Sequence, residues 1–215
     1  MFEKVFLYLS YASQLSRWIR ELPTVIFNDF YNSKFDYNKR YDLYDYVFNS
    51  ENLKLPMSYL EFGVYQGDSM KWWVNRNSNP DSRFCGFDTF AGLPEGWGQF
   101  NKGDMSTSGQ VPFINDQRCH FIRGLFQKTL DPFLAQTTLL NKKVIHLDAD
   151  LYSSTLFVLT RLSNHLRKDD VVIFDEFNIP LDEFRAFLDF TRSYQRELKL
   201  IAAVNNYFAV AFKVI

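Results

Sequence analysis

Five short apolar runs alternate with helix-like segments along this chain, and two more runs close it. That order limits the fold more than any other feature. SYLEFGV (58–64), RFCGFDT (83–89), CHFIRG (119–124), VIHLDAD (144–150) and VVIFDEF (171–177) read as buried strands. Residues 69–76, 155–166 and 181–194 suit helices, and 129–140 does so in part. Strands and helices in alternation build a parallel sheet covered by helices on both faces. The ending is different. LKLIAAV (198–204) and YFAVAFKVI (207–215) are consecutive strands joined by Asn205-Asn206, and Asn accepts the positive φ of a tight antiparallel turn.

Composition adds limits. A chain of 215 residues with 47% hydrophobic content can fill one sizeable core, so one α/β domain is expected over 51–215. An N-terminal helical segment, 1–50, should pack on it, turning Phe2, Phe6, Leu9, Leu15 and Ile19 towards the core. The net charge of −1 leaves no basic excess for phosphates, which argues against a nucleic-acid partner. No run is long enough to span a membrane, and the N-terminal run lacks a signal-peptide cleavage site. Cys85 and Cys119 read as reduced core residues of a cytoplasmic protein. Among the histidines, His146 belongs in a buried strand, His120 in a strand and His165 on a solvated helix. Tyr31, Tyr37, Tyr41, Tyr44 and Tyr46 crowd one segment, either lining a pocket or packing it onto the sheet.

Two of the strands end in acid pairs, Asp148 with Asp150 and Asp175 with Glu176. Side by side in a parallel sheet, they would bring four carboxylates to the edge where open α/β sheets bind ligands. Like charges about 4 Å apart repel by roughly 4 kcal/mol at an effective dielectric near 20, so such a cluster needs a cation, a shared proton or wide spacing. A hard divalent ion with oxygen ligands would answer it, and helix capping is the plainer alternative.

The first strand leads into LEFGVYQGDS (60–69). Gly63 and Gly67 allow a sharp turn and close approach to a ligand, and Ser69 can offer its hydroxyl and nearby N–H groups to a carboxylate. Tyr65 stands where a third glycine would admit a pyrophosphate, which disfavours NAD. Asp88 ends the next strand and could accept both hydroxyls of an adenosine ribose, unless it only shapes the turn before Thr89. Residues 95–110 form a polar stretch too long for an ordinary connection, as expected of a lid or binding loop, with Trp97 and Phe100 able to cover a bound acceptor, or more plainly of a disordered surface excursion.

An alternating α/β domain ending in a β-hairpin is the architecture of class I methyltransferases: a Rossmann-like three-layer sandwich, mostly parallel, with its last strand antiparallel. EFGVYQGDS, GFDTFAGLPEGW, FIRGLFQKTL, HLDADLYSST and VVIFDEF, in that order, resemble the macrocin O-methyltransferase family. The resemblance implies an S-adenosylmethionine-dependent O-methyltransferase domain over 51–215, acting on a hydroxyl of a sugar or other small acceptor with the help of Mg²⁺. It places the cofactor on Glu61, Gly63, Tyr65, Gly67, Ser69, Asp88 and Asp148. The metal falls to Asp148, Asp175 and Glu176, and the base is Asp150. Relatives carry Asp-Asp where this chain has Asp175-Glu176. A homo-oligomer is compatible with this reading. The rivals are an NAD-dependent oxidoreductase and a non-catalytic cofactor-binding protein.

Overall fold

The computed structural model describes residues 2–140 and 142–215; Met1, which opens the expected N-terminal helix, lies outside them. Helix α1 (Phe2–Glu21), the short strand β1 (Phe27–Asn28) and α2 (Lys39–Ser50) come first. The alternating part follows as β2 (Ser58–Phe62), α3 (Asp68–Arg76), β3 (Arg83–Asp88), β4 (Cys119–Arg123), α4 (Phe126–Gln136), β5 (Lys143–Leu147), α5 (Tyr152–Leu162), β6 (Val171–Phe174) and α6 (Glu183–Tyr194). It closes with β7 (Leu198–Val204) and β8 (Ala209–Val214).

These strands form one eight-stranded sheet in the order β1-β7-β8-β6-β5-β2-β3-β4. The only antiparallel partner among them is β8, which runs against both β6 and β7. β2, β5 and β6 are buried at every position, as strands covered on both faces must be. One apolar core gathers side chains of α1, α4, α5 and α6 on one face, and a second gathers those of α2 and α3 on the other. The expected three-layer α/β sandwich is thus present. Among the described residues, no helix is long and apolar enough to cross a membrane.

Register decides where the chemistry lies. Phe62 aligns with Phe87 and with Leu147, and Leu147 aligns with Phe174. The residues that follow, Gly63, Asp88, Asp148 and Asp175, therefore leave four neighbouring parallel strands along one edge.

The N-terminus departs from expectation. Leu15 is buried, and Trp18 packs among Phe177, Phe184, Phe187 and Phe212, but Phe2, Phe6 and Leu9 are 80%, 69% and 57% exposed. Only the C-terminal half of α1 meets the body. Periodicity identifies a helix's apolar face, not how much of its length finds a partner. The final hairpin also differs: Asn205, Asn206 and Tyr207 all have positive φ (54°, 57° and 65°), so the turn is longer and β8 begins at Ala209. Each Asn side chain clamps the segment before α2. Asn205 Nδ2 donates to Asp36 O (2.8 Å), and Asn206 Nδ2 donates to Asn32 O (2.7 Å).

Candidate active site

A cavity of about 420 Å³ opens on the edge where β2, β3, β5 and β6 end, within the usual size of a small-molecule site. Its walls include Gly63, Tyr65, Gly67, Ser69 and Asp88 from the β2 and β3 side, and Asp148, Asp150, Glu176, Tyr37 and Arg40.

The glycine turn is built by close packing. Gly63 has φ +92°, and a Cβ there would lie 1.7 Å from the Asp148 carbonyl oxygen. Gly67, at φ +81°, caps α3 in the left-handed conformation. The first N–H groups of that nine-residue helix lack intrahelical partners, and Gly67, Asp68 and Ser69 line the cavity, an arrangement suited to an anionic group of a ligand. Asp88 fastens the turn. Its Oδ2 accepts from Val64 N (2.8 Å) and Tyr65 N (2.9 Å), and its Oδ1 accepts from Phe90 N (2.7 Å). A carboxylate has about four acceptor positions, so roughly one remains for a ligand hydroxyl. Turn formation and a place in the cavity coexist at Asp88.

Glu61 lies beneath this wall rather than in it. It is fully buried and accepts hydrogen bonds from Ser69 Oγ and from Tyr59 Oη (3.0 Å). Ser69 therefore spends its hydroxyl proton on Glu61, and what it presents to a ligand is backbone. Tyr59 continues to His146 Nδ1 (2.8 Å), and His146 Nε2 meets Tyr44 Oη (3.2 Å). Burial pushes His146 down to about 3, so it is neutral, a hydrogen-bonded core histidine as expected. Burial pushes Glu61 up to about 8 against the hydrogen bonds of Ser69 and Tyr59. An acid whose folded pKa is raised holds its proton longer than the unfolded chain does. Its contribution to stability is present below about 4.5 and is lost as pH rises towards 8. Glu61→Gln, which cannot ionise, should therefore show a smaller fall in Tm between pH 5 and pH 8.5 than the wild type. Equal falls in the two proteins would show that Glu61 stays ionised in the fold.

The acids that follow β5 and β6 repel one another. Asp148 is raised well above the usual carboxylate range by burial and by the charges of Asp175, Asp150 and Glu176. Burial pushes Asp150 up to about 7, and a hydrogen bond with Glu176 opposes that shift. Glu176 is pushed up to about 9 by burial and by the Asp150 and Asp175 charges, a direction that favours a proton held between it and Asp150. Asp175 is buried beside Arg40. Tyr37 Oη donates to its Oδ2 (3.1 Å), and Arg40 Nη1 lies 3.5 Å from the same oxygen. Among the described residues, no group of three or more His, Cys, Asp or Glu side chains is set to hold a metal ion. Of the expected Asp148, Asp175 and Glu176, the first and last line the cavity while Asp175 is buried and does not, and the three form no ready coordination shell. A cation, one of the remedies such a cluster allows, is supplied by the chain itself as Arg40 beside Asp175.

Arg40 lines the cavity without any signal in the sequence, and of the five clustered tyrosines Tyr37 is the one that lines it. The tyrosine cluster divides its work: Tyr44 is buried against Trp73, Tyr46 stacks on Phe27, Tyr37 lines the cavity, and Tyr31 is exposed. The 95–110 stretch is anchored at the starts of α5 and α6. Trp97 stacks on Phe100 and donates to Asp182 Oδ2 (3.0 Å), while Glu95 accepts from Ser153 Oγ (2.9 Å). From this region Met105, not Trp97 or Phe100, reaches the cavity wall.

Comparison with known proteins places this arrangement. No curated protein matches the chain. Solved structures share the fold. CalS11, a calicheamicin methyltransferase, superposes with TM-score 0.62 at 19% identity, covering 95% of this chain and 91% of its own. The O-methyltransferase NovP gives 0.60 at 18% identity with 98% of both chains covered. The cmcI-D160 structure with Mg and SAM gives 0.56 at 18%, covering 94% and 84%. At such identities these show the fold alone. The sequence match is more specific, because residues 41–213 fit the macrocin O-methyltransferase (TylF) family from α2 to the last strand. The chain belongs to the macrocin O-methyltransferase family and is an S-adenosylmethionine-dependent O-methyltransferase.

Proposed function

We propose that the enzyme methylates a hydroxyl of a sugar or similar small acceptor, with a divalent cation such as Mg²⁺ assisting. The observation that carries this reading is one cavity lined by a glycine turn, a helix N-terminus and Asp88 together with the carboxylates Asp148, Asp150 and Glu176. CalS11 is described as a TDP-rhamnose 3'-O-methyltransferase, which supports a sugar-type acceptor here. S-adenosylmethionine supplies an electrophilic methyl on a sulfonium, so the protein's task is alignment and removal of the acceptor's proton.

Gly63, Tyr65, Gly67 and the α3 N-terminus hold the cofactor in this reading, with Asp88 on the ribose. Glu61 acts indirectly, fixing Ser69 and the first turn of α3. Asp150 takes the hydroxyl proton onto a carboxylate oxygen; a pKa near operating pH suits a general base. The donor set also fits a hard cation. Asp175 Oδ1 and Glu176 Oε2 are buried without a hydrogen-bond partner, and Asp148 adjoins them. Those three would hold it, and a bound cation would lower the pKa of the acceptor hydroxyl.

The test is methyl transfer from labelled S-adenosylmethionine to a panel of sugars, sugar nucleotides and catechols, with Mg²⁺ or with chelator. Transfer to a sugar hydroxyl that falls at least tenfold in chelator is expected. Full activity in chelator would remove the cation, and transfer to catechols alone would remove the sugar. In the binding arm, Asp88→Ala should weaken cofactor affinity more than tenfold, because a hydrogen bond to a charged group and the turn's fastening go together.

A further inference from the structure

Arg40 links the acid cluster to the segment before the sheet. It is 9% exposed and lines the cavity. Its Nη1 donates to Tyr37 Oη (2.6 Å), and Tyr37 donates in turn to the Asp175 oxygen that Arg40 faces. Nη2 donates to Tyr41 Oη (3.2 Å). The guanidinium carbon lies 4.0 Å from the Tyr37 ring centre and 5.0 Å from that of Tyr41. Two aromatic rings and two phenols thus hold a charge that the sheet itself does not provide.

The pairing is incomplete on both sides. Asp175 Oδ1 and Arg40 Nε are buried with no hydrogen-bond partner. His146 Nε2 stands 4.0 Å from Asp175 Oδ1, but that nitrogen is engaged with Tyr44. A buried carboxylate oxygen without a donor is costly, and it is what a hard cation would satisfy. A dication on Oδ1 would then stand within one carboxylate's width of the guanidinium. Like charges at that distance in a poorly screened site repel strongly.

We propose that Arg40 is a tethered counter-ion that competes with a divalent cation for Asp175, so that the cation site forms as the guanidinium withdraws into the cavity. This rests on the reading that Asp148, Asp175 and Glu176 take such a cation. It explains why the cluster stands without an assembled coordination shell: Arg40 already neutralises its most buried member. It also ties cation binding to the segment carrying Tyr37 and Arg40, whose shift would reshape the cavity.

The experiment uses the full chain with Mn²⁺ as probe, its affinity read by electron paramagnetic resonance. Arg40→Gln should bind Mn²⁺ at least tenfold more tightly than the wild type, and Arg40→Lys, which keeps the charge, should stay close to it. Adding Asp175→Asn should abolish the gain. If the wild type binds Mn²⁺ and Arg40→Gln binds it equally or more weakly, Arg40 instead orients Asp175 for the ion and competition is overturned. If neither binds, the cation reading itself falls and the proposal with it. Should Arg40→Gln not fold, the Arg40 Nε–H resonance of the wild type is followed by NMR during Mg²⁺ titration. It should move with saturation; a resonance unmoved while Mn²⁺ binds overturns the proposal.

Discussion

Asp150→Asn is expected to lose about 10²–10⁴-fold in turnover while keeping the cofactor, the range typical for removing a general base. The substitution suits the backbone. Asp150 sits in the left-handed region (φ 57°), with Leu151 N donating to Ala149 O across it, and Asn is among the residues that tolerate this conformation best. It also removes one negative charge from beside Asp148, whose own pKa that charge raises. The variant should therefore unfold at the same temperature as the wild type or higher, which separates lost chemistry from lost structure. Cofactor affinity, measured by calorimetry, should change less than about threefold, well under the 1.4 kcal/mol that marks a tenfold change. An Asp150→Asn enzyme that turns over at the wild-type rate would send the search for the base elsewhere in the cavity, first to Asp148.

What could be read from the chain and what could not divides along physical lines. Acids that follow apolar strands were legible because parallel register converts sequence position into place: Asp88, Asp148 and Asp175 had to reach one edge once their strands paired. The glycine turn was legible for the same reason. Arg40 was not, because it lies on α2, 135 residues from Asp175, and nothing in a charged residue among tyrosines says which sheet end it will face. Exposed Phe2, Phe6 and Leu9 show the complementary limit, since an apolar face implies burial only where a partner surface exists. Glu61 shows a third. The resemblance put it among the cofactor residues, whereas in the fold it is buried and its partners are Ser69 and Tyr59. Even Asp88 was a choice between two roles at the sequence level, and the fold lets one carboxylate serve the turn and still face the cavity.

Gly63→Ala should damage fold and site together. Gly63 N donates to Phe87 O (3.0 Å), and Asp148 N donates to Phe62 O (2.9 Å), so β2, β3 and β5 are fastened together at this residue. A methyl group would lie 1.7 Å from the Asp148 carbonyl oxygen and 2.7 Å from its carbon, both backbone atoms of the central sheet. No rotamer change relieves that overlap; β5 must move at its end, carrying Asp148 and Asp150 with it. Overpacking costs roughly 1–3 kcal/mol, and an unfavourable φ costs of order 1–3 kcal/mol more. For a domain of this size each kcal/mol lowers Tm by about 2–4 °C, so a fall of roughly 6–12 °C is expected for a total near 3 kcal/mol. Gly103→Ala provides the control. Gly103 has the same φ, +92°, but no atom within 4 Å of the site a Cβ would take. It bears the conformational cost without the collision. Gly63→Ala should thus be the less stable of the two by the overpacking contribution, and it alone should lose cofactor binding. Equal Tm values in the two variants would mean that the glycine turn yields to a side chain, and that close approach to Asp148 is not what requires glycine there.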